Sequence, residues 1–360
     1  MLLPVLPVWC HYQWGDQMTT TVALLMIFFG IGLFLFGGVS SYLVQRYRRN
    51  HVCLYASVGM MGSVAILFLT YLRLIPQLPI IVYGTGLLLG ASYGLSQIVL
   101  SSTLIVDVSE SSHRTEANHA AAWFRRFSIS LGPALACLLY RLGGFQTVYI
   151  AIMVCQLVAV LLVMTVDFPF RAPDEELQMF SLDRFLLPQG FLLFFNLMLM
   201  TFSFGLILSR GFDILFYSLL MGGFLLAIFS ERVVFADAEL KSETVTGLIC
   251  VGAALLLMIT RDVPVVYFIT PVLIGFGYGI IGSRFLLFFI KLSRHCQRGT
   301  SQSSFFLSWT LGITLGLGAG YLMAVEYADW IQPIALGIVV LCLLVYNVFT
   351  HPWYLKHKNR

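Results

Sequence analysis

Gly90-Ala91-Ser92-Tyr93-Gly94 and Gly275-Phe276-Gly277-Tyr278-Gly279 are one pattern written twice, 185 positions apart, each inside a long apolar segment. The apolar segments around the two copies recur in the same order, so the chain reads as one helical unit duplicated. A unit doubled in parallel within a bilayer is expected to hold its working cavity between the copies.

Composition places that duplicated unit in a membrane. Apolar residues make up 59% of the chain and charged residues 11%, and the mean hydropathy is +0.89, far from the balance of a soluble globular protein. Stretches near the roughly 20 residues that cross a bilayer as a helix run from Thr20 to Leu43, Cys53 to Leu72, Pro79 to Thr103, His119 to Tyr140 and Thr147 to Val166. After a polar break come Pro188 to Leu208, Phe212 to Phe229, Thr244 to Ile259, Val263 to Ile290, Phe305 to Met323 and Ile331 to Phe349. That is five full spans before the break and six after it. Met1 to Trp9 is also apolar, but at roughly 1.5 Å per residue it crosses less than half of the hydrocarbon layer. Duplication predicts six helices per half, so this segment is expected to be the outer end of a first helix, its inner end lost to a misplaced start or a truncation. The fold class is therefore an all-α polytopic membrane protein. It divides into a first half (1–166), a linker (167–187), a second half (188–350) and a tail (351–360).

Basic residues orient it. Numbered as twelve helices, the loops after the even-numbered helices and the tail share one side, which holds Arg46, Arg48, Arg49, Arg114, Arg171, Arg184, Arg232, Lys241, Lys291, Arg294, Arg298, Lys356, Lys358 and Arg360. Arg73, Arg141, Arg210 and Arg261 are on the other. The positive-inside rule puts the first set, the linker and the C-terminus in the cytoplasm. This asymmetry accounts for the net charge of +4 without a nucleic-acid partner. Cys10, Cys53, Cys137, Cys155, Cys250, Cys296 and Cys342 are scattered, with neither disulfide nor metal-ligand spacing. The linker, with Asp167, Arg171, Asp174, Glu175, Glu176, Asp183 and Arg184, is the one clear break in composition.

Two six-helix halves, a charged linker and a basic turn after the second helix resemble the major facilitator superfamily, particularly its bacterial sugar-efflux and drug-proton antiporter members. The resemblance covers nearly the whole chain. In that family the loop after helix 2 reads Gly-x-Leu-x-Asp-Arg-x-Gly-Arg-Lys/Arg. The matching positions here are Ser41, Leu43, Gln45, Arg46, Arg48, Arg49 and Asn50, so the leucine and two arginines match, whereas the aspartate and both glycines do not. The resemblance implies a cytoplasmic latch at Gln45, Arg46 and Arg49, yet neutral Gln45 lacks the charge that would pair with an arginine or a helix end. The second copy keeps an acid in Glu231-Arg232. Family antiporters also carry Gly-x8-Gly-x3-Gly-Pro-x2-Gly-Gly on helix 5; this chain offers His119, Ser128, Gly132-Pro133, Ala136 and Cys137. Ser128, Gly132 and Ala136, like Ser308, Gly312, Gly316 and Gly320 on helix 11, form small-residue faces for close helix packing. Pro133 adds a kink that a neighbouring helix can satisfy.

Ionisable residues inside spans carry the next signal. Arg125 and Arg126 lie about two turns into helix 5, and Arg284 about two turns from the basic end of helix 10. Such charges face protein or a water-filled cavity, or else snorkel to the interface. Taken together they predict a positive vestibule for an anionic or carbonyl-rich solute. Tyr93 and Gln97 share a face of helix 4; Asn196 is on helix 7 and Tyr278 on helix 10. The resemblance places these helices at the cavity, while packing or interhelical hydrogen bonds would serve the same residues equally. Trp123 and Trp309, 186 positions apart, read as duplicated packing or belt residues.

No Asp or Glu lies near the middle of any full span. A proton-coupled carrier needs a titrating group in its pathway, and the candidates are His119 and Asp107, with solvated carboxylates the alternative for Asp107 and Glu116. No phosphate-cradling loop, cofactor motif or metal cluster is evident. Three classes remain open: a secondary carrier of a small organic solute that rocks its halves in a bacterial inner membrane, outward in exchange for protons and as a single chain; a membrane-embedded enzyme, for which His113 and His119 lack a partner set; and a non-transporting or degenerate relative acting as a sensor.

Overall fold

The computed structural model describes residues 1–15, 18–105, 113–165, 178–234 and 239–358. Among them the chain is helical, with no strand. The membrane helices are α1 (Leu2–Trp14), α2 (Met18–Leu35, resuming after Phe36 as Gly37–Arg46), α3 (Arg49–Tyr71) and α4 (Pro79–Val99, widened into a π turn over Leu100–Leu104). The helix Arg114–Met164 is interrupted at Gly143 and Gly144, which divides it into α5 (114–142) and α6 (145–164). Gly144 has φ 68°, a left-handed conformation that glycine adopts without the Cβ clash other residues meet. The second half contains α7 (Phe191–Leu208), α8 (Ile214–Val233), α9 (Leu240–Thr260), α10 (Pro264–Leu292), α11 (Arg298–Met323) and α12 (Ile331–Val345, continuing through Tyr346–Thr350 to His357).

Among the described residues, ten helical segments are long and apolar enough to span a bilayer; one of them bends into α5 and α6, so the eleven expected crossings are all present. α1 is longer than the apolar reading of Met1 to Trp9. Polar Cys10 to Gln13 continue the helix because each turn satisfies its own backbone groups, and Trp14 packs edge-on against Trp9, centroids 5.4 Å apart. The expected tail is helical through His357. Tyr354 gives those turns an apolar face, buried against Phe288 of α10 with ring centroids 4.7 Å apart.

Lipid is as apolar as leucine, so backbone proximity rather than water exclusion holds such helices together. A Cβ added at Gly90 would collide with the Phe29 carbonyl of α2, and one at Gly275 with the Leu220 carbonyl of α8. The duplicated glycine pattern is thus a pair of equivalent seams, α4 on α2 and α10 on α8. On α11 the expected small-residue face packs against α7: Gly312 lies on the Met198 carbonyl, Gly316 on that of Phe202 and Gly320 on Ser209. Ser308 Oγ donates to the Phe194 carbonyl in the same seam. The face on α5 is divided. Gly132 meets Met1, Pro133 and Ala136 are buried, and Ser128 is exposed with its hydroxyl returned to the Arg125 carbonyl at 2.6 Å. Gly316→Ala is expected to cost about 1–3 kcal/mol by overpacking, read as a lower midpoint in thermal unfolding. Gly337→Ala, where a Cβ meets nothing within 4 Å, should leave the midpoint in place.

The two sets of six helices meet along α2–α11 and α5–α8. Ser130 Oγ of α5 donates to the Tyr217 carbonyl of α8 at 2.5 Å. At the basic end, the linker residues from 178 onward lie against both sets. Ser181 N donates to the Gly38 carbonyl at 2.9 Å, Arg184 N to Thr300 Oγ1 at 2.9 Å and Leu187 N to Ser304 Oγ at 2.7 Å. Linker residues 167–177 lie outside the described residues.

Candidate solute cavity and charge cluster

A cavity of 510 Å³ opens among α2 to α6, α11 and the first turns of α1. Its wall is mainly apolar: Met26, Phe29, Val64, Ile152, Phe305, Phe306, Trp309 and Leu317 are among its residues. Tyr93, Arg125, Arg126, Ser128, Gln156, Thr310 and Thr314 are its polar members.

The two arginines are held differently. Arg125 Nη2 donates to Ser101 Oγ at 2.6 Å, and its guanidinium carbon lies 5.0 Å from the Phe306 ring centroid. Ser101 reaches it from the π turn that ends α4, where the widened helix displaces its side chains from regular register. Among the described residues Arg125 forms no ion pair with a carboxylate. Arg126 is 2% exposed. Its Nη1 donates to the Gly279 carbonyl of α10 at 2.8 Å and its Nε to the Ala122 carbonyl at 3.3 Å. The guanidinium sits 3.9 Å over the Trp123 ring, a cation–π contact strengthened by exclusion of water. Its Nη2 is buried with no hydrogen-bond partner among the described residues.

Beside Arg126, α5 crosses to α8 and α10. His119 Nε2 is 2.7 Å from Ser283 Oγ of α10 and 3.7 Å from Glu231 Oε2 of α8. The Glu231 carboxylate is therefore turned to the opposite half, whereas Arg232 is exposed. On the far side of α10, Arg284 forms an ion pair with Glu243 of α9, whose side chain is 1% exposed.

Several expected positions fall elsewhere. Arg284 does not join a vestibule with Arg125 and Arg126, because the buried Glu243 carboxylate draws it to α9. Tyr278 is 1% exposed; its hydroxyl shares a hydrogen bond with Ser203 at 2.6 Å and its ring stacks on Phe204, centroids 4.3 Å apart, so it faces α7. Asn196 Nδ2 donates to Thr350 Oγ1 at 2.9 Å, a contact made possible by the extra turns of α12. Gln97 does not line the cavity, and its Oε1 is buried without a partner among the described residues. The cavity wall thus lacks α7 and α10, contrary to the expectation of a site between α4 and α10. Of the first-half latch, Gln45 and Arg49 are half-buried and Arg46 is exposed. Asp107 lies outside the described residues.

Sequence reasoning missed Ser283, Ser101 and Glu243. No pattern marked the serines. Glu243 stands one turn inside α9, at a depth shared with Arg284 across the hairpin, and that shared depth was the available signal.

Among the described residues, eleven crossings, exposed apolar side chains such as Leu162, Phe229 and Leu344 on the outside, and an internal cavity walled by helices define a multi-pass membrane protein. The chain belongs to the Major Facilitator Superfamily, whose family model matches residues 1–317. Its members bind small-molecule substrates within a lipid bilayer. Among solved structures it is similar to a bacterial homologue of the iron transporter ferroportin in an outward-facing state, with a TM-score of 0.65, 16% identity, and coverage of 96% of this chain and 94% of that one. It is also similar to the human organic anion transporter MFSD10 (TETRAN), with a TM-score of 0.68, 15% identity and the same two coverages. At such identities the likeness is one of fold. No curated protein matches the chain.

Proposed function

We propose that the chain is a secondary active transporter that moves a small organic solute by alternating access, outward in exchange for protons. It works as a single chain in a bacterial inner membrane, with its halves at 1–166 and 188–350 and its linker and C-terminus in the cytoplasm. The observation that carries this reading is the contact of His119 with Glu231 and Ser283, since it joins the two halves through titratable groups. Rocking the halves apart at the basic end would break that contact and wet both side chains. A proton held there in one state and released in the other ties transport to the gradient.

The test is flux in sealed vesicles carrying the full chain. An imposed pH gradient should drive accumulation of a solute from a panel of organic anions and sugars, and a protonophore should abolish it. A second reading, a non-transporting relative, draws support from Gln45 standing where the family's latch has an acid. Absence of gradient-dependent flux across the whole panel would favour it.

A further inference from the structure

We infer that the cavity takes an amphipathic organic anion, a ring-bearing apolar body with one oxyanion group, and that Arg125 and Arg126 hold the oxyanion. The inference rests on the reading of the chain as a carrier and names the chemistry of its solute.

Charge is the first argument. Around α10 two guanidiniums, Arg126 and Arg284, stand against two carboxylates, Glu231 and Glu243. Arg125 is left over: its partners among the described residues are a hydroxyl and an aromatic face, neither of which carries a full negative charge. A guanidinium has five donors in a planar fork, and only a bidentate oxyanion engages two in parallel. A half-buried charge without a counter-charge is costly, so a bound oxyanion would supply what the wall lacks. Independently, Arg126 is 2% exposed, lines the same cavity and keeps Nη2 buried with no acceptor among the described residues.

The rest of the wall selects the body of the solute. Phe29, Phe305, Phe306 and Trp309 present aromatic surface, which favours rings through stacking and edge contacts. The volume of 510 Å³ falls in the range of about 300–1,000 Å³ typical of drug-sized ligands. A polyhydroxylated sugar would need a partner for each hydroxyl, because unpaired polar groups in an apolar site lose affinity. The few polar groups in this wall do not provide that many. A cationic solute would meet two guanidiniums.

The experiment is equilibrium binding to the purified full chain in lipid nanodiscs, without any gradient. The probes are 1-naphthalenesulfonate and its neutral isostere 1-naphthalenesulfonamide. The wild-type chain should prefer the sulfonate by about tenfold or more, as expected for charge-assisted bonding in a buried site. Arg125→Gln should remove the preference and Arg125→Lys should keep part of it. Equal binding of the two probes, or no binding of either, overturns the inference, as does a sulfonate preference that survives Arg125→Gln. The wild-type comparison stands by itself if Arg125→Gln does not fold. Gradient-driven flux of another solute with no sulfonate preference would sink this inference and leave the carrier reading intact. Sulfonate binding without flux of any solute would do the reverse.

Discussion

Glu243→Ala is expected to lower stability by about 3–5 kcal/mol, the range for stripping one partner from a buried ion pair. The Glu243 side chain is 1% exposed and that of Arg284 12% exposed, so neither charge has ready access to water. With the carboxylate gone, the guanidinium stays largely buried without the group that offset its desolvation. The loss should appear as a marked fall in the thermal unfolding midpoint of the full chain in detergent. Glu243→Leu combined with Arg284→Met removes both charges and replaces them with apolar volume. That double variant should recover most of the loss or exceed the wild type, as replaced buried pairs often do. An unchanged midpoint for Glu243→Ala alone would mean that the pair does not fasten α9 to α10.

That pair also explains why some of the site was legible and some was not. Helix number, length and order followed from apolar runs, because a bilayer leaves a chain few ways to satisfy its backbone. The arginines of α5 stood out because a charge in a span is rare, and both line the cavity. Arg284 met the same criterion and turned away, since its direction depends on an acid in a different helix. Tyr93 and Tyr278 occupy equivalent places in the repeat, yet Tyr93 lines the cavity while Tyr278 is locked to Ser203 and Phe204. Duplication preserves helix seams, which depend on glycines and backbone. It does not preserve what each side chain meets, because the neighbours in the two halves have diverged. His119 was visible as a titratable group at a helix start, but its partners Glu231 and Ser283 come from α8 and α10, and only the folded chain brings the three together.

Glu231→Gln is expected to reduce gradient-driven accumulation by about tenfold or more, equivalent to at least about 1.4 kcal/mol, while gradient-free exchange of solute across the vesicle membrane continues. The argument is one of charge. With His119 neutral, Arg126 and Arg284 are balanced by Glu231 and Glu243, and Arg232 lies exposed to solvent one residue beyond Glu231. A proton added to His119 gives the cluster one positive charge, held by a carboxylate 3.7 Å away. Separation of α5 from α8 and α10 changes both the charges and the water around the imidazole, so its hold on a proton differs between the two access states. In Glu231→Gln the cluster carries a surplus positive charge before any proton arrives. A second one on His119 would face Arg126 and Arg284 with no neighbouring acid except Glu243, which is already engaged, and at short range in a medium less polar than water such repulsion is strong. The closed contact then no longer takes up a proton, and the cycle stalls. Arg125 is bound to Ser101 and Phe306 rather than to this cluster, and Arg126 keeps its bond to the Gly279 carbonyl, so both cationic groups of the cavity stay in place and solute exchange continues. Glu231→Asp should restore part of the driven flux, whereas His119→Gln, which removes the proton acceptor itself, should reproduce the loss. A Glu231→Gln chain that still accumulates solute against its gradient in response to pH would show that the proton travels elsewhere and that the contact between the halves serves closure alone.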